Sequence, residues 1–417
     1  MNMINVLINA YACSPNWGSE PGMGWHWVSN LAKYCNLYII TEGEWKEEIE
    51  EAVRKHPFKE HLHFYYNPVP ERVRKMCWNQ GDWRFYWHYR KWQSKTLEIA
   101  KQICLEHRID VIHQLNMIGF REPGLLWKID GPKHIWGPIG SMGDIPTQLL
   151  KDLPLKMLMK QKVKNLISHY QIRHSPVKDA IVRSDRLIAA LNVTADTISK
   201  VYGRSVEVIG ETGLEPNESL SRTFNSNKPL ELLWVGRFIP TKKLSIALEA
   251  LARTKNYKAY RLHIVGTGTN EEIAMYHDLA NKFGISDVCI WYGKISHHKV
   301  QEMMREKDLF YFTSIYEGGP HVINEAISNN LPILCFDTCG QGTVVDETIG
   351  WKIPMTTIEE GINGFAEKLD YIIEHREALI PLSLNCKAKQ RELSWERKIK
   401  RICEIYEEAI NERKTSM

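Results

Sequence analysis

A chain of 417 residues, 43% apolar and 25% charged, has ordinary globular composition and is too apolar for a disordered polymer. No run of about 18 apolar residues occurs, which excludes a bilayer-spanning helix. Nine scattered cysteines without a C-x-x-C pair argue against a disulfide framework or structural zinc site, and the small formal charge of +4 argues against nucleic acid.

The opening residues, MNMINVLINAYACSPNWGSEPG, lack the basic start and cleavage site of a secretory leader and read as a first strand. With the unpaired cysteines, this predicts a cytoplasmic protein. Further strands are predicted at 37–40, 63–66, 111–114, 134–136 and 187–190, separated by helix-period segments. That alternation is the pattern of parallel βαβ units. A second series is predicted at 232–235, 262–265, 289–291, 309–312 and 333–336. Between the two series lies the polar run NESLSRTFNSNKP. The reading is an N-terminal Rossmann-like domain at 1–205, a linker region at 206–229 and a second Rossmann-like domain at 230–390. The remainder, 391–417, carries Trp395, Ile399, Ile402, Tyr406 and Ile410 at helical spacing and needs a surface to cover.

Charge and aromatic residues are concentrated in the first half. Residues 71–95 hold seven Lys/Arg against two acids, 151–175 hold six against one, and ten of 14 Trp precede residue 210. WRFYWHYRKWQSK and LPLKMLMKQKVKNLI interleave these cations with rings or with Leu and Met. Both fit contact with an anionic membrane surface, and ordinary amphipathic packing accounts for them equally.

In doubly wound sheets ligands bind beyond the carboxyl ends of strands, where helix N-termini present free N–H groups. The informative loops are therefore those directly after strands. LELLWV runs into Gly236-Arg237, with Lys242 before the next helix; an arginine fork and a lysine point charge suit a diphosphate, and plain solvated charge is the rival reading. Gly266-Thr-Gly268 follows another strand and permits close approach of a ligand or forms a tight turn; no Walker loop is present. After DLFYFTS comes Tyr316-Glu317-Gly318-Gly319-Pro320-His321, with Glu325 eight residues beyond Glu317. The glycines bare backbone amides, and the carboxylates suit vicinal hydroxyls. A metal held by His321 and Glu325 lacks a third ligand nearby. In the first half, Gly18, Gly22 and Gly24 crowd a strand-to-helix turn, and His113 ends the strand VIHQL, a place for either a structural or a functional histidine.

These segments together resemble the retaining glycosyltransferases of family 4. The resemblance rests on GRFIPTKK, VGTGTNEE, EGGPHVINEAISNNLPILCFD with its E-x7-E spacing, and the early GSEPGMGW and WGPIGS. It covers almost the whole chain and implies the GT-B fold: two Rossmann-like domains facing across a cleft, with the last helix crossing back to the first. It also implies a nucleotide-diphosphate sugar as donor substrate, with no separate cofactor. Arg237 and Lys242 would then hold the diphosphate and Glu325 the ribose. Glu317 with Gly318, Gly319 and Pro320 would hold the sugar, beside Gly236 and Gly266. Gly18 and Gly22 would serve the acceptor, with His113 near the reacting centre. The acceptor would be a glycan or polyprenyl-linked glycan at the inner face of the plasma membrane, in surface-polysaccharide synthesis.

The absence of D-x-D predicts metal independence, with Arg237 and Lys242 neutralising the leaving group. Rival expectations are a nucleotide-sugar epimerase or hydrolase of the same fold and a non-catalytic glycan-binding subunit. A tandem-Rossmann oxidoreductase is disfavoured, because G-x-G-x-x-G is missing.

Overall fold

The computed structural model describes residues 3–78, 82–150, 155–217, 220, 222–225, 227–319 and 321–415. They form two compact units. The first comprises Met1–Gly143, Leu166–Gly213 and Trp395–Met417; the second comprises Asp144–Asn165 and Leu214–Ser394.

The first unit is built on a seven-stranded sheet. Its strands are β1 (Ile4–Ala10), β2 (Cys35–Thr41), β3 (Leu62–Tyr66), β4 (Val111–Asn116), β5 (Lys133–Ile139), β6 (Arg186–Ala189) and β7 (Glu207–Val208). Their spatial order is β3-β2-β1-β4-β5-β6-β7, and every neighbouring pair is parallel. Strand order reverses between β1 and β4, the position where such sheets open a crevice. Alternation along β1 serves two cores: Val6, Ile8 and Ala10 enter one, while Leu7 enters the other.

The last helix, Trp395–Thr415, closes the first of these cores. Trp395, Ile399, Ile402, Ile405, Tyr406 and Ala409 are buried there with Trp27, Val28 and Leu31 of the helix Ser19–Leu31. Each of the isoleucine, valine and leucine side chains among them contributes roughly 1.5–3 kcal/mol by leaving water. Arg401 adds a two-pronged pair with Glu207, with Nη2 at 2.7 Å from Oε2.

The second unit carries a six-stranded sheet in the order β10-β9-β8-β11-β12-β13. These are β8 (Leu230–Val235), β9 (Tyr260–Val265), β10 (Cys289–Gly293), β11 (Leu309–Phe312), β12 (Ile333–Asp337) and β13 (Gly350–Pro354), again all parallel. Leu334 and Phe336 face one core while Ile333 and Cys335 face the other. Covered on both faces, these strands read as continuous apolar runs, which is why they stand out in the sequence.

Three features differ from the expected organisation. Strands β7 and β13 were not foreseen: the first is two residues long, and the second, GWKIP, is an edge strand begun by Gly and ended by Pro. The segment 144–165, expected in the first domain, belongs to the second unit, because Leu149 and Leu150 are buried in its core. The expected linker lies partly outside the described residues, and its described Arg222 is tied down: Nη1 donates to the Met304 and Asn329 carbonyls at 2.7 and 2.9 Å.

Candidate functional site

In the second unit, the loops leaving β8 and β11 wall a pocket of about 350 Å³ whose lining includes Gly236, Arg237, Thr241, Lys242, Tyr316 and Glu317. Its backbone is held from several sides. Gly236 N–H donates to Val265 O at 3.0 Å, and Phe238 N–H donates to Thr267 O at 2.9 Å, stitching the β8 loop to the β9 loop. Gly266 allows this approach, since a Cβ there would lie 1.7 Å from the Gly236 carbonyl oxygen. On the other side, Ile315 N–H donates to Thr241 O at 2.8 Å, and Thr313 Oγ1 donates to Lys243 O at 2.9 Å. The Gln341 amide fixes the Ser314 carbonyl at 2.7 Å. A loop anchored this way presents its charges with little freedom left to lose on binding.

Lys242 and Glu317 form an ion pair across this pocket, and the Ser314 hydroxyl donates to the same Glu317 oxygen, Oε1. Their side chains are only 15% and 14% exposed, so solvent screens the pair weakly. The Lys242 ammonium also lies 5.2 Å from the centre of the Phe312 ring. Arg237 differs: its side chain is exposed, and its guanidinium has no partner among the described residues. The pocket therefore offers one uncommitted cation, one cation shared with a carboxylate, and Glu317 Oε2 as an open acceptor. Gly318 adds exposed backbone with nothing within 4 Å of its Cβ position. An anion bonded by Arg237 and sharing Lys242 with Glu317, next to a hydroxyl on Oε2, is what this set accommodates.

Other expected residues fall elsewhere. Glu325 lies outside the lining of this pocket; its carboxylate meets His297 Nε2 at 3.2 Å and accepts from Gln301 Nε2 at 3.1 Å. Gly319 accepts the His321 N–H at 2.9 Å, and Pro320 lies outside the described residues. His113 requires correction as a group near the reacting centre. It is fully buried, its Nδ1 is 2.6 Å from the Tyr406 hydroxyl, and its Nε2 is 2.8 Å from Gly137 O. Burial pulls its pKa down to about 4, so it stays neutral and joins β4 to the last helix. At Gly22 a Cβ would sit 2.1 Å from the Trp17 carbonyl oxygen, so the turn into the helix needs glycine there. Gly18 stands before the first helix with open space around it.

Sequence reasoning missed Ser314, Thr241 and Gln341, which have no motif and act through the loop. It also missed a second pocket, of about 230 Å³, in the first unit, lined by Tyr11, Glu20, Glu42, Glu44, Trp45 and Trp78 among others. The signal for it was present: Tyr11 directly follows β1, and Glu42-Gly-Glu44-Trp45 directly follows β2.

Residues 217–392 match the family model described as glycosyl transferases group 1. The lipopolysaccharide 1,6-galactosyltransferase of Salmonella typhimurium is 28% identical over 210 residues, 47% of this chain and 52% of that protein. The Escherichia coli protein of the same description is 23% identical over 201 residues. The chain thus spans about half the length of the curated relatives it matches. Among solved structures, Anabaena HepE in complex with UDP aligns with a TM-score of 0.62 at 12% identity, covering 97% of this chain and all of that one. The lipopolysaccharide outer core galactosyltransferase WaaB aligns with a TM-score of 0.63 at 15% identity, over 98% of this chain and 100% of that one. The fold is GT-B.

Proposed function

We propose that this chain, whose residues 217–392 carry a glycosyl transferases group 1 domain, is a retaining, metal-independent glycosyltransferase. It moves a sugar from a nucleotide-diphosphate sugar to a hydroxyl of a glycan or lipid-linked glycan, in surface-polysaccharide synthesis. The observation that carries this reading is the Arg237 guanidinium without a partner beside the Lys242–Glu317 pair, at the carboxyl ends of β8 and β11. The UDP bound in Anabaena HepE and the galactosyltransferase relatives support a uridine diphosphate hexose as donor.

As the bond from the anomeric carbon to the β-phosphate oxygen breaks, negative charge grows on the diphosphate. Arg237 and Lys242 meet that charge, and their attraction is larger in the transition state than in the ground state. Retention follows from attack on the same face, with the acceptor hydroxyl proton passing to the departing phosphate oxygen. Glu317 Oε2 accepts a hydroxyl of the sugar, while Oε1 stays with Lys242.

A thermal-shift comparison of UDP, GDP and ADP tests the donor assignment. Ligand at 100 times its Kd stabilises the folded state by about 2.7 kcal/mol, so UDP is expected to raise the transition by several degrees. Sugar transfer is expected to persist in EDTA. No shift with any of the three nucleotides contradicts the reading. Free sugar or an epimer as sole product favours a hydrolase or epimerase of the same fold.

The reading also includes a membrane contact. On the helix Leu155–Arg173, Leu155, Met159, Val163, Leu166, Ile167 and Tyr170 are exposed and share one face, with Lys160 and Lys162 at its edges and Lys156 within it. An apolar face edged by lysines suits the boundary between anionic headgroups and acyl chains. Val163→Glu with Leu166→Glu is expected to cut cosedimentation with phosphatidylglycerol vesicles at least tenfold. Binding that is unchanged in the double variant removes this helix from the membrane contact.

A further inference from the structure

Ser314 stands two residues past β11 and is fully buried. Its backbone has little freedom. The carbonyl accepts from the Gln341 side-chain amide at 2.7 Å, and Gln341, on the helix Cys339–Val344, is itself fully buried. The residues on either side are tied to the loop after β8. Thr313 Oγ1 donates to Lys243 O at 2.9 Å, and Ile315 N–H donates to Thr241 O at 2.8 Å. With consecutive residues anchored in this way, the aim of the Ser314 side chain is set by the scaffold and one torsion.

That side chain has a single hydroxyl hydrogen and three acceptors in reach. Thr241 O lies at 3.2 Å and Tyr316 O at 3.4 Å, while Glu317 Oε1 is nearer than both and is the charged one. The carboxylate takes the hydrogen, because a charge-assisted bond is the stronger choice. Glu317 Oε1 thus has two donors, the Ser314 hydroxyl and the Lys242 ammonium, and Oε2 has none among the described residues. The two donors differ in what else they can do. The ammonium is a point charge on a flexible stem and can turn toward a second anion. The hydroxyl, fixed to the end of β11, cannot follow it. A diphosphate drawn to Lys242 would also repel the carboxylate, and both side chains of the pair are largely shielded from solvent. The Ser314 bond opposes that displacement.

We propose that Ser314 is a positioning residue for the donor sugar: its hydroxyl tethers Glu317 Oε1, so that Oε2 stays in place for a sugar hydroxyl while Lys242 turns to the diphosphate. The inference rests on the reading in which Glu317 accepts a hydroxyl of the transferred sugar, and it adds the group that keeps this carboxylate aimed. A carboxylate held beforehand loses less freedom when the sugar arrives. The tether acts on the sugar half of the donor and leaves the nucleotide half alone. A hydrogen bond to a charged group corresponds to roughly a tenfold to hundredfold change in an equilibrium constant.

Titration calorimetry on the full chain tests it, with UDP, UDP-glucose and UDP-galactose as probes. In Ser314→Ala the Kd for UDP is expected to move less than about twofold, while the Kd for the tighter-binding UDP-hexose rises at least about tenfold. Adding Ser314→Ala to Glu317→Ala should change the UDP-hexose Kd by less than about twofold, because no carboxylate remains to be aimed. Ser314→Cys, a far weaker donor of similar shape, replaces the alanine variant if that one loses its thermal transition, and the same split is expected of it. Equal weakening of UDP and UDP-hexose overturns the proposal, since it would mean that Ser314 only braces the loop. So does an unchanged UDP-hexose Kd, or a full further loss in the Glu317→Ala background. In those cases the donor reading stands, because the wild-type chain still binds its probes. A wild-type chain that binds none of the three removes the donor reading and this proposal together.

Discussion

Replacing Lys242 with alanine is expected to lower turnover by about 10²–10³, the loss typical of one preorganised charge-stabilising group. The expected loss exceeds that of Arg237→Ala, for a reason visible in the pocket. Arg237 is exposed and has no protein partner to abandon. Lys242 is paired with Glu317, and both side chains are largely buried. Taking the ammonium away leaves a poorly solvated carboxylate facing the proposed diphosphate site, and half-broken buried pairs cost about 3–5 kcal/mol. Lys242→Ala should therefore raise KM as well as lower kcat, whereas Arg237→Ala should act mainly on kcat. The double variant Lys242→Ala with Glu317→Gln should recover part of the nucleotide affinity and little of the rate. Steady-state kinetics on the four proteins decide the matter: a Lys242→Ala enzyme with unaltered kcat/KM sinks the diphosphate assignment.

The second large effect is on stability. Gly266→Ala meets two obstacles at once. The backbone there has φ +148°, a region L side chains rarely adopt, and the new Cβ would fall 1.7 Å from the Gly236 carbonyl oxygen. Strain of this kind costs about 1–3 kcal/mol, and forced overpacking costs about 1–3 kcal/mol more. The β8 and β9 loops must part, releasing the Gly236–Val265 and Phe238–Thr267 hydrogen bonds that shape the pocket wall. A clear fall in the urea midpoint, together with loss of the nucleotide-induced thermal shift, is expected. Gly318→Ala is the control: nothing lies within 4 Å of its Cβ position, so its midpoint should stay within experimental scatter of the wild type. Equal midpoints for Gly266→Ala and the wild type would refute the packing argument.

Arg237, Lys242, Glu317 and the glycines around them were legible in the sequence because each lies in the loop between an apolar strand and the next helix, and the strand-to-helix order alone says which end of the sheet they occupy. Pairing between distant residues was not legible. Nothing in VIHQL reveals that His113 is bonded to Tyr406, 293 positions later, so its position at a strand end read as a place for chemistry. Glycines at Gly22 and Gly266 look alike as letters, and only the atoms opposite them separate a tight turn into a helix from a stitch between pocket loops. The aromatic pocket draws Tyr11, Glu44 and Trp78 from three separate connections, whose spacing repeats no motif.

What the amino-acid order determined by itself was therefore everything carried by short range: the alternation of strands and helices, the two parallel sheets, the loops that carry charge and the face of the last helix. Periodicity encodes these because burial on a helix or strand repeats every few residues. What only the tertiary structure decided was which charges are committed and which are open. That depends on contacts 75 residues apart for Lys242 and Glu317 and 32 apart for Glu42 and Arg74, a distance over which sequence spacing holds no geometric information.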